Sequence, residues 1–114
     1  MNYNKSFNLL KSFPKKLNYF YVKNSTNILK VENKSKNKKI YDPVTNLDKA
    51  FEKFIRRIIV KQFPGDAILG EEFLEKYSNN HYKWFVDPVD GTKAFMVGAP
   101  TWSNLIGLTH KDRP

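Results

Sequence analysis

The stretch from Thr45 to Val86 changes its hydrophobic rhythm, and that change narrows the fold more than any other feature of the chain. In "TNLDKAFEKFIRRIIVKQF", Leu47, Phe51, Phe54, Ile55, Ile58 and Ile59 recur at three- and four-residue intervals. That repeat predicts a helix with one apolar face. Lys49, Glu52, Lys53, Arg56 and Arg57 are assigned to the opposite, solvent face. Thr45 is placed to cap the helix, with Asp48 three residues on in a capping-box position. Pro43 biases Asp42 toward extended geometry, and Pro64-Gly65 stop the helix. Two short apolar runs follow, Ala67-Ile68-Leu69 and Trp84-Phe85-Val86, and both read as short buried strands. "TWSNLIGLTH", residues 101–110, reads as a third. Helices and strands in this order predict an α+β or layered α/β fold.

The remaining segments are less regular. Phe7, Leu10, Leu17 and Tyr21 recur at helical spacing, so the N-terminal stretch reads as a helix that Pro14 kinks or starts. "NILKVENKSKNKK" reads as a short extended piece and a polar loop. The 114 residues suffice for one small domain, and 40% hydrophobic with 15% aromatic residues favours a folded chain. The absence of cysteine excludes disulfides, thiol nucleophiles and thiolate metal sites. The N-terminus lacks the apolar core of a signal peptide, and no apolar run spans a bilayer, so a cytoplasmic protein without a membrane partner is expected.

The net charge of +9 is unevenly spread. Residues 1–41 hold ten lysines against Glu32, whereas residues 42–114 hold ten basic and ten acidic side chains. A basic arm for nucleic acid would look like this. No arginine cluster or aromatic-interleaved basic face accompanies it, so a solvated Asn/Lys-rich loop is the preferred reading and nucleic acid is not the expected partner.

The chemistry concentrates at two strand ends. Glu71 and Glu72 follow the first short strand; Asp87 and Asp90 follow the second, in "VDPVDGT". Asp-Pro and Asp-Gly also make ordinary turns. A hard divalent cation, however, takes oxygen ligands at roughly 2.0–2.1 Å in the case of magnesium. Asp87 and Asp90 can converge on one cation, or bridge two, if the loop curls. Glu71 or Glu72 can join them if the strands are neighbours. Gly91 permits close backbone approach to a ligand, and a helix starting near Thr92 would offer N–H groups to an anion. Cations beside an anion site suit metal-assisted phosphoester hydrolysis.

"WFVDPVDGTKAF" resembles the first signature of the inositol monophosphatase superfamily. "ILGEEF" resembles its Gly-Glu-Glu element, and "DPVTNLD" its Asp-x-Val-Thr-x-x-Asp element. "GTKAFMVGAPTWSNLIGL" is most similar to the histidinol-phosphate phosphatase branch. The resemblance implies the N-terminal half of an αβαβα sugar-phosphatase fold and a Mg2+-dependent, lithium-sensitive phosphate monoesterase. It implies Glu71, Asp87, the Val89 carbonyl and Asp90 as metal ligands, with Asp87 bridging two cations. Gly91 and Thr92 would hold the phosphate. Asp42 would pair with the Thr92 hydroxyl to orient the attacking water. Asp48 is read as a helix-start charge instead, favourable against the helix dipole.

The same family carries a second signature, with a Trp-Asp dipeptide, that this chain does not show. Residues 1–114 are therefore expected to form an incomplete phosphatase domain: a basic helix and loop over 1–41, then a helix and strands carrying the metal site over 42–114. Alone, the chain is expected to be inactive. Histidinol phosphate is the expected substrate of the complete enzyme and inositol phosphate the alternative; such enzymes are often homodimers. The rivals are a basic nucleic-acid-binding protein with a relic metal motif and an inert half-domain that requires a partner. Trp84 and Trp102 are assigned to the core or its rim, and His81 and His110 to solvent.

Overall fold

The computed structural model describes residues 3–24, 31–33 and 43–114. The elements run α1 (Tyr3–Asn24), β1 (Val31–Asn33), β2 (Pro43–Thr45), α2 (Asn46–Gln62), β3 (Ala67–Gly70), β4 (Tyr82–Asp90), α3 (Thr92–Met96) and β5 (Ser103–His110).

α2 begins where capping chemistry directs. Asp48 N–H donates to Thr45 Oγ1 at 3.1 Å, and Thr45 N–H donates to Asp48 Oδ1 at 2.9 Å. Each bond satisfies a backbone donor near the helix start. The helix ends before Pro64, with the Phe63 N–H donating to Ile59 O. Leu47, Phe51, Ile55 and Ile59 are buried as the periodicity predicts. Glu52 corrects the expectation: it was assigned to solvent and is fully buried. Its carboxylate has partners inside the protein, which periodicity alone does not count.

α1 runs through Pro14 rather than starting there. Leu9, Phe13 and Leu17 point into the core while Pro14 lies on the exposed side. A missing N–H costs least where water can reach the carbonyl left without its helical partner.

β3, β4 and β5 form one sheet in that order, β3 parallel to β4 and β4 antiparallel to β5. β1 and β2 make a separate antiparallel pair, Val31 opposite Thr45. β2 was not foreseen as a strand, and the lysine-rich run from Lys34 to Lys39 lies outside the described residues. β4 is also longer than expected, because the extended backbone continues through "DPVD". The register against β5 slips between Asp87 and Asp90. Pro88 sits inside that slip, where its missing N–H interrupts no ladder bond. Its carbonyl accepts from the Asn104 side chain.

Alternation along β4 buries Tyr82, Trp84 and Val86. Leu9, Phe13 and Leu17 of α1, the apolar stripe of α2, Ile68, Trp84 and Val89 form one core. Trp84 packs edge-on against Phe13 at 6.5 Å and donates from Nε1 to the buried Asp66 Oδ2 at 2.8 Å. Trp102 packs beside Phe95 and Tyr21 at the core's rim, as assigned. His81 is exposed, but His110 stacks on Tyr82 at 4.2 Å instead of standing free in solvent.

Candidate metal and phosphate site

The register of β3 against β4 decides which carboxylates meet. Gly70 lies opposite Val86 in a parallel pair, so Glu71 and Asp87 are the next residues out along neighbouring strands. Residues two apart share a sheet face. Glu71 therefore follows Leu69, and Asp87 follows Phe85, onto one face. Both carboxylates line an open cleft of about 610 Å³ with Leu69, Phe85 and Leu105. Asp87 is half-buried and Glu71 exposed. The Asp87 Oδ1 atom is buried without a hydrogen bond, while the residue is engaged through its other atoms.

Asp90 lies beyond this pair along β4. The bulge carries it past the regular ladder to a position opposite Ser103, and it is exposed. Glu72 is half-buried, and its backbone N–H points back to α2, where it donates to Glu52. Among the described residues no three carboxylate or imidazole groups gather closely enough to hold a metal by themselves. The donors nonetheless fit magnesium, which is commonly held by one or two carboxylates, with waters and substrate phosphate completing its octahedron. An all-oxygen set of this kind disfavours zinc.

Gly91 turns the chain from β4 into α3. Its φ is +89°, and a Cβ there would lie 2.8 Å from the Thr101 carbonyl oxygen. Both the left-handed geometry and the close approach call for glycine. The turn delivers Thr92 to the N-terminus of α2: Thr92 Oγ1 lies 3.0 Å from Asp48 Oδ2 and 3.2 Å from the Val89 carbonyl. Asp48 is 1% exposed and Thr92 half-buried, so the carboxylate end of this hydrogen bond lies inside the protein. Its Oδ1 meanwhile holds the Thr45 cap. One carboxylate thus serves both the helix start and the threonine.

Asp48 is the site residue that sequence reasoning passed over. It was expected to be no more than a helix-start charge; it is that, and it is also a partner of Thr92. Asp42, expected in the second role, lies outside the described residues. A signal was available: Asp48, Glu52 and Arg56 are spaced by four, so they rise along one side of the helix. Farther along the β3–β4 connection, Glu75 accepts a hydrogen bond from Lys83, and this bond, with the lysine's charge, holds its carboxyl below the usual carboxylate range.

The sequence model of the inositol monophosphatase family matches residues 19–114. The chain belongs to the inositol monophosphatase family. It is 43% identical over 72 residues to a histidinol-phosphatase of Mycobacterium tuberculosis, covering 63% of this chain and 28% of that one. It is 38% identical over 73 residues to a fructose-1,6-bisphosphatase/inositol-1-monophosphatase of Aquifex aeolicus, covering 64% and 28%. A solved IMPase/NADP phosphatase complexed with Mg2+ and phosphate matches at a TM-score of 0.77 and 21% identity, over 96% of this chain and 41% of its own. The chain thus spans less than a third of the length of these two curated family members, and it has the N-terminal part of the family fold. No helix among the described residues is long and apolar enough to cross a membrane.

Proposed function

We propose that this chain carries the metal- and phosphate-binding portion of a magnesium-dependent phosphate monoesterase whose substrate is histidinol phosphate. The similarity to a histidinol-phosphatase supports that substrate, and the similarity to a fructose-1,6-bisphosphatase/inositol-1-monophosphatase keeps inositol monophosphate as the alternative. The observation that carries the reading is the Thr92–Asp48 hydrogen bond at the end of the strand whose Asp87 shares a cleft with Glu71. Residues 1–41 are read as a basic helix and loop, and 42–114 as the part bearing the site. A cytoplasmic location and a dimeric complete enzyme belong to the same reading.

Glu71 and Asp87 would hold magnesium from the cleft they share, and the Val89 carbonyl and Asp90 would complete the set with the bulge drawn in toward that pair. When bound, magnesium supplies charge neutralisation at the phosphoryl oxygens and makes water a stronger nucleophile. Gly91 and Thr92 offer backbone N–H groups to the phosphate. The Thr92 hydroxyl has one proton to donate, and the ionised Asp48 Oδ2 at 3.0 Å is a better acceptor than the Val89 carbonyl at 3.2 Å. The hydroxyl's lone pairs then remain to accept a hydrogen bond from the attacking water and aim its oxygen at phosphorus. Because Asp48 wins that proton, the Val89 carbonyl is left for the cation.

The test is a Mn2+ titration followed by electron paramagnetic resonance, with phosphate release from histidinol phosphate and inositol 1-phosphate measured alongside in Mg2+. The chain is expected to bind Mn2+ and to lose that binding on Asp87→Asn. Phosphate release by residues 1–114 alone is expected near background and to rise when the rest of the family fold is supplied. A chain that binds no divalent cation would sink the proposal.

A further inference from the structure

We propose that Glu52 is a positioning residue: its buried carboxylate fixes the turn that aims Glu71 into the cleft, an inference that rests on Glu71 acting as a metal ligand. Glu52 lies on α2, is 0% exposed, and reaches under the end of β3. Its Oε1 accepts from the Glu72 N–H at 2.9 Å, and its Oε2 accepts from the Phe73 N–H at 3.1 Å. Arg56 Nε donates to the same Oε2 at 2.8 Å, and the Arg56 guanidinium also reaches the Phe73 carbonyl at 3.2 Å.

An ionised carboxylate is costly to bury unless hydrogen bonds and a counter-charge replace water. Here they do, and they join the helix to one short turn. The Glu72 N–H belongs to the peptide unit that the Glu71 carbonyl begins. Holding it fixes the peptide plane beside Glu71, and the bond to Phe73 fixes the next. Two successive peptide planes locked by charge-assisted bonds fix the Glu72 backbone, and Glu71 is held between the first of them and the β3 ladder that ends at Gly70.

Gly70 supplies the independent observation. A Cβ at residue 70 would sit 2.4 Å from Glu52 Oε1 and 2.5 Å from its carboxyl carbon. The Glu52 carboxylate occupies the space a side chain would need, so the glycine of "GEE" and the glutamate of α2 are two halves of one fit. An apolar residue at position 52 would fill the volume but leave two partly buried N–H groups without their acceptors. A ligand-bearing turn held this way resembles the outer hydrogen bonds that orient ligands in metal sites, whose loss typically weakens metal binding by about 10–100-fold.

The experiment compares the unsubstituted full chain with Glu52→Gln and Arg56→Gln. Mn2+ affinity is read by electron paramagnetic resonance and amide exchange by nuclear magnetic resonance. Glutamine keeps the shape of Glu52 but has one acceptor oxygen for two N–H groups. Faster exchange at the Glu72 and Phe73 amides is expected, with Ile55 and Ile59 still protected and Mn2+ bound about tenfold or more weakly. Arg56→Gln, on a partly exposed side chain, should move both readouts in the same direction if Glu52→Gln does not fold. Lost protection at Glu72 and Phe73 with unchanged Mn2+ affinity would overturn the inference and leave Glu52 as a stabilising group only. Failure of the unsubstituted chain to bind Mn2+ is a different result: it removes the metal reading itself, and the inference with it.

Discussion

At the scale of single residues, the site is built from side chains that serve two neighbours at once. Asp48 caps α2 through Oδ1 and receives Thr92 through Oδ2. Removing it should therefore cost more than a helix cap alone, which is worth about 0.5–2 kcal/mol. Because residues in one hydrogen-bond network do not act additively, a double-mutant cycle over Asp48→Ala and Thr92→Val should return a coupling of about 0.5–3 kcal/mol in urea unfolding. A coupling near zero would remove Asp48 from the proposed water-orienting pair. Reading the sequence found the threonine because "DGT" closes a conspicuous loop. It passed over the aspartate because a capping box already explained Asp48, and a residue with one sufficient explanation draws no second.

Elements show where pattern suffices and where it fails. α2 was legible because its apolar repeat, its cap and its Pro-Gly stop all agree. β4 was legible only as far as Val86, since Asp and Pro are poor strand residues by composition. What extends the strand to Asp90 is a non-local bargain: a register slip against β5 and the Asn104 side chain on the Pro88 carbonyl. Glu52 was misplaced for a related reason. Its acceptors' partners are backbone N–H groups some twenty residues away, which helical periodicity cannot see. α1 makes a prediction of its own. Pro14 lies inside a helix of 22 residues and on its exposed side. Proline in a helix interior costs about 3 kcal/mol relative to alanine. Pro14→Ala should restore a hydrogen bond to the Leu10 carbonyl and raise stability by about 1–3 kcal/mol, read as a higher urea midpoint at unchanged slope. A fall in stability would mean that Leu9, Phe13 and Leu17 reach the core only through a bend that proline enforces.

For the molecule as a whole, the decisive asymmetry lies between the two faces of its sheet. One face is covered by α1 and α2 and holds the aromatic core. The other carries Leu69, Phe85 and Leu105, which are 37%, 39% and 49% exposed and line the cleft that ends at Glu71 and Asp87. Isolated exposed leucines need no explanation, but apolar side chains adjacent across three paired strands form a patch of the kind that drives association. Burying a fully exposed large apolar side chain contributes roughly 1.5–3 kcal/mol; these three are already more than half covered, so covering the rest contributes under half of that each, which favours weak association against a net charge that physiological salt screens. The chain should therefore self-associate as its concentration rises, with a sedimentation coefficient that increases accordingly. Phe85→Lys with Leu105→Lys places two charges on that face without touching the helices, the Asp48–Thr92 pair or the Glu52 turn. The double variant should sediment as a monomer and keep the α2 capping and core signals of the unsubstituted chain. Association that survives the two lysines would locate the contact elsewhere, with the exposed edge of β5 or the lysine-rich N-terminal third as the next surfaces to substitute.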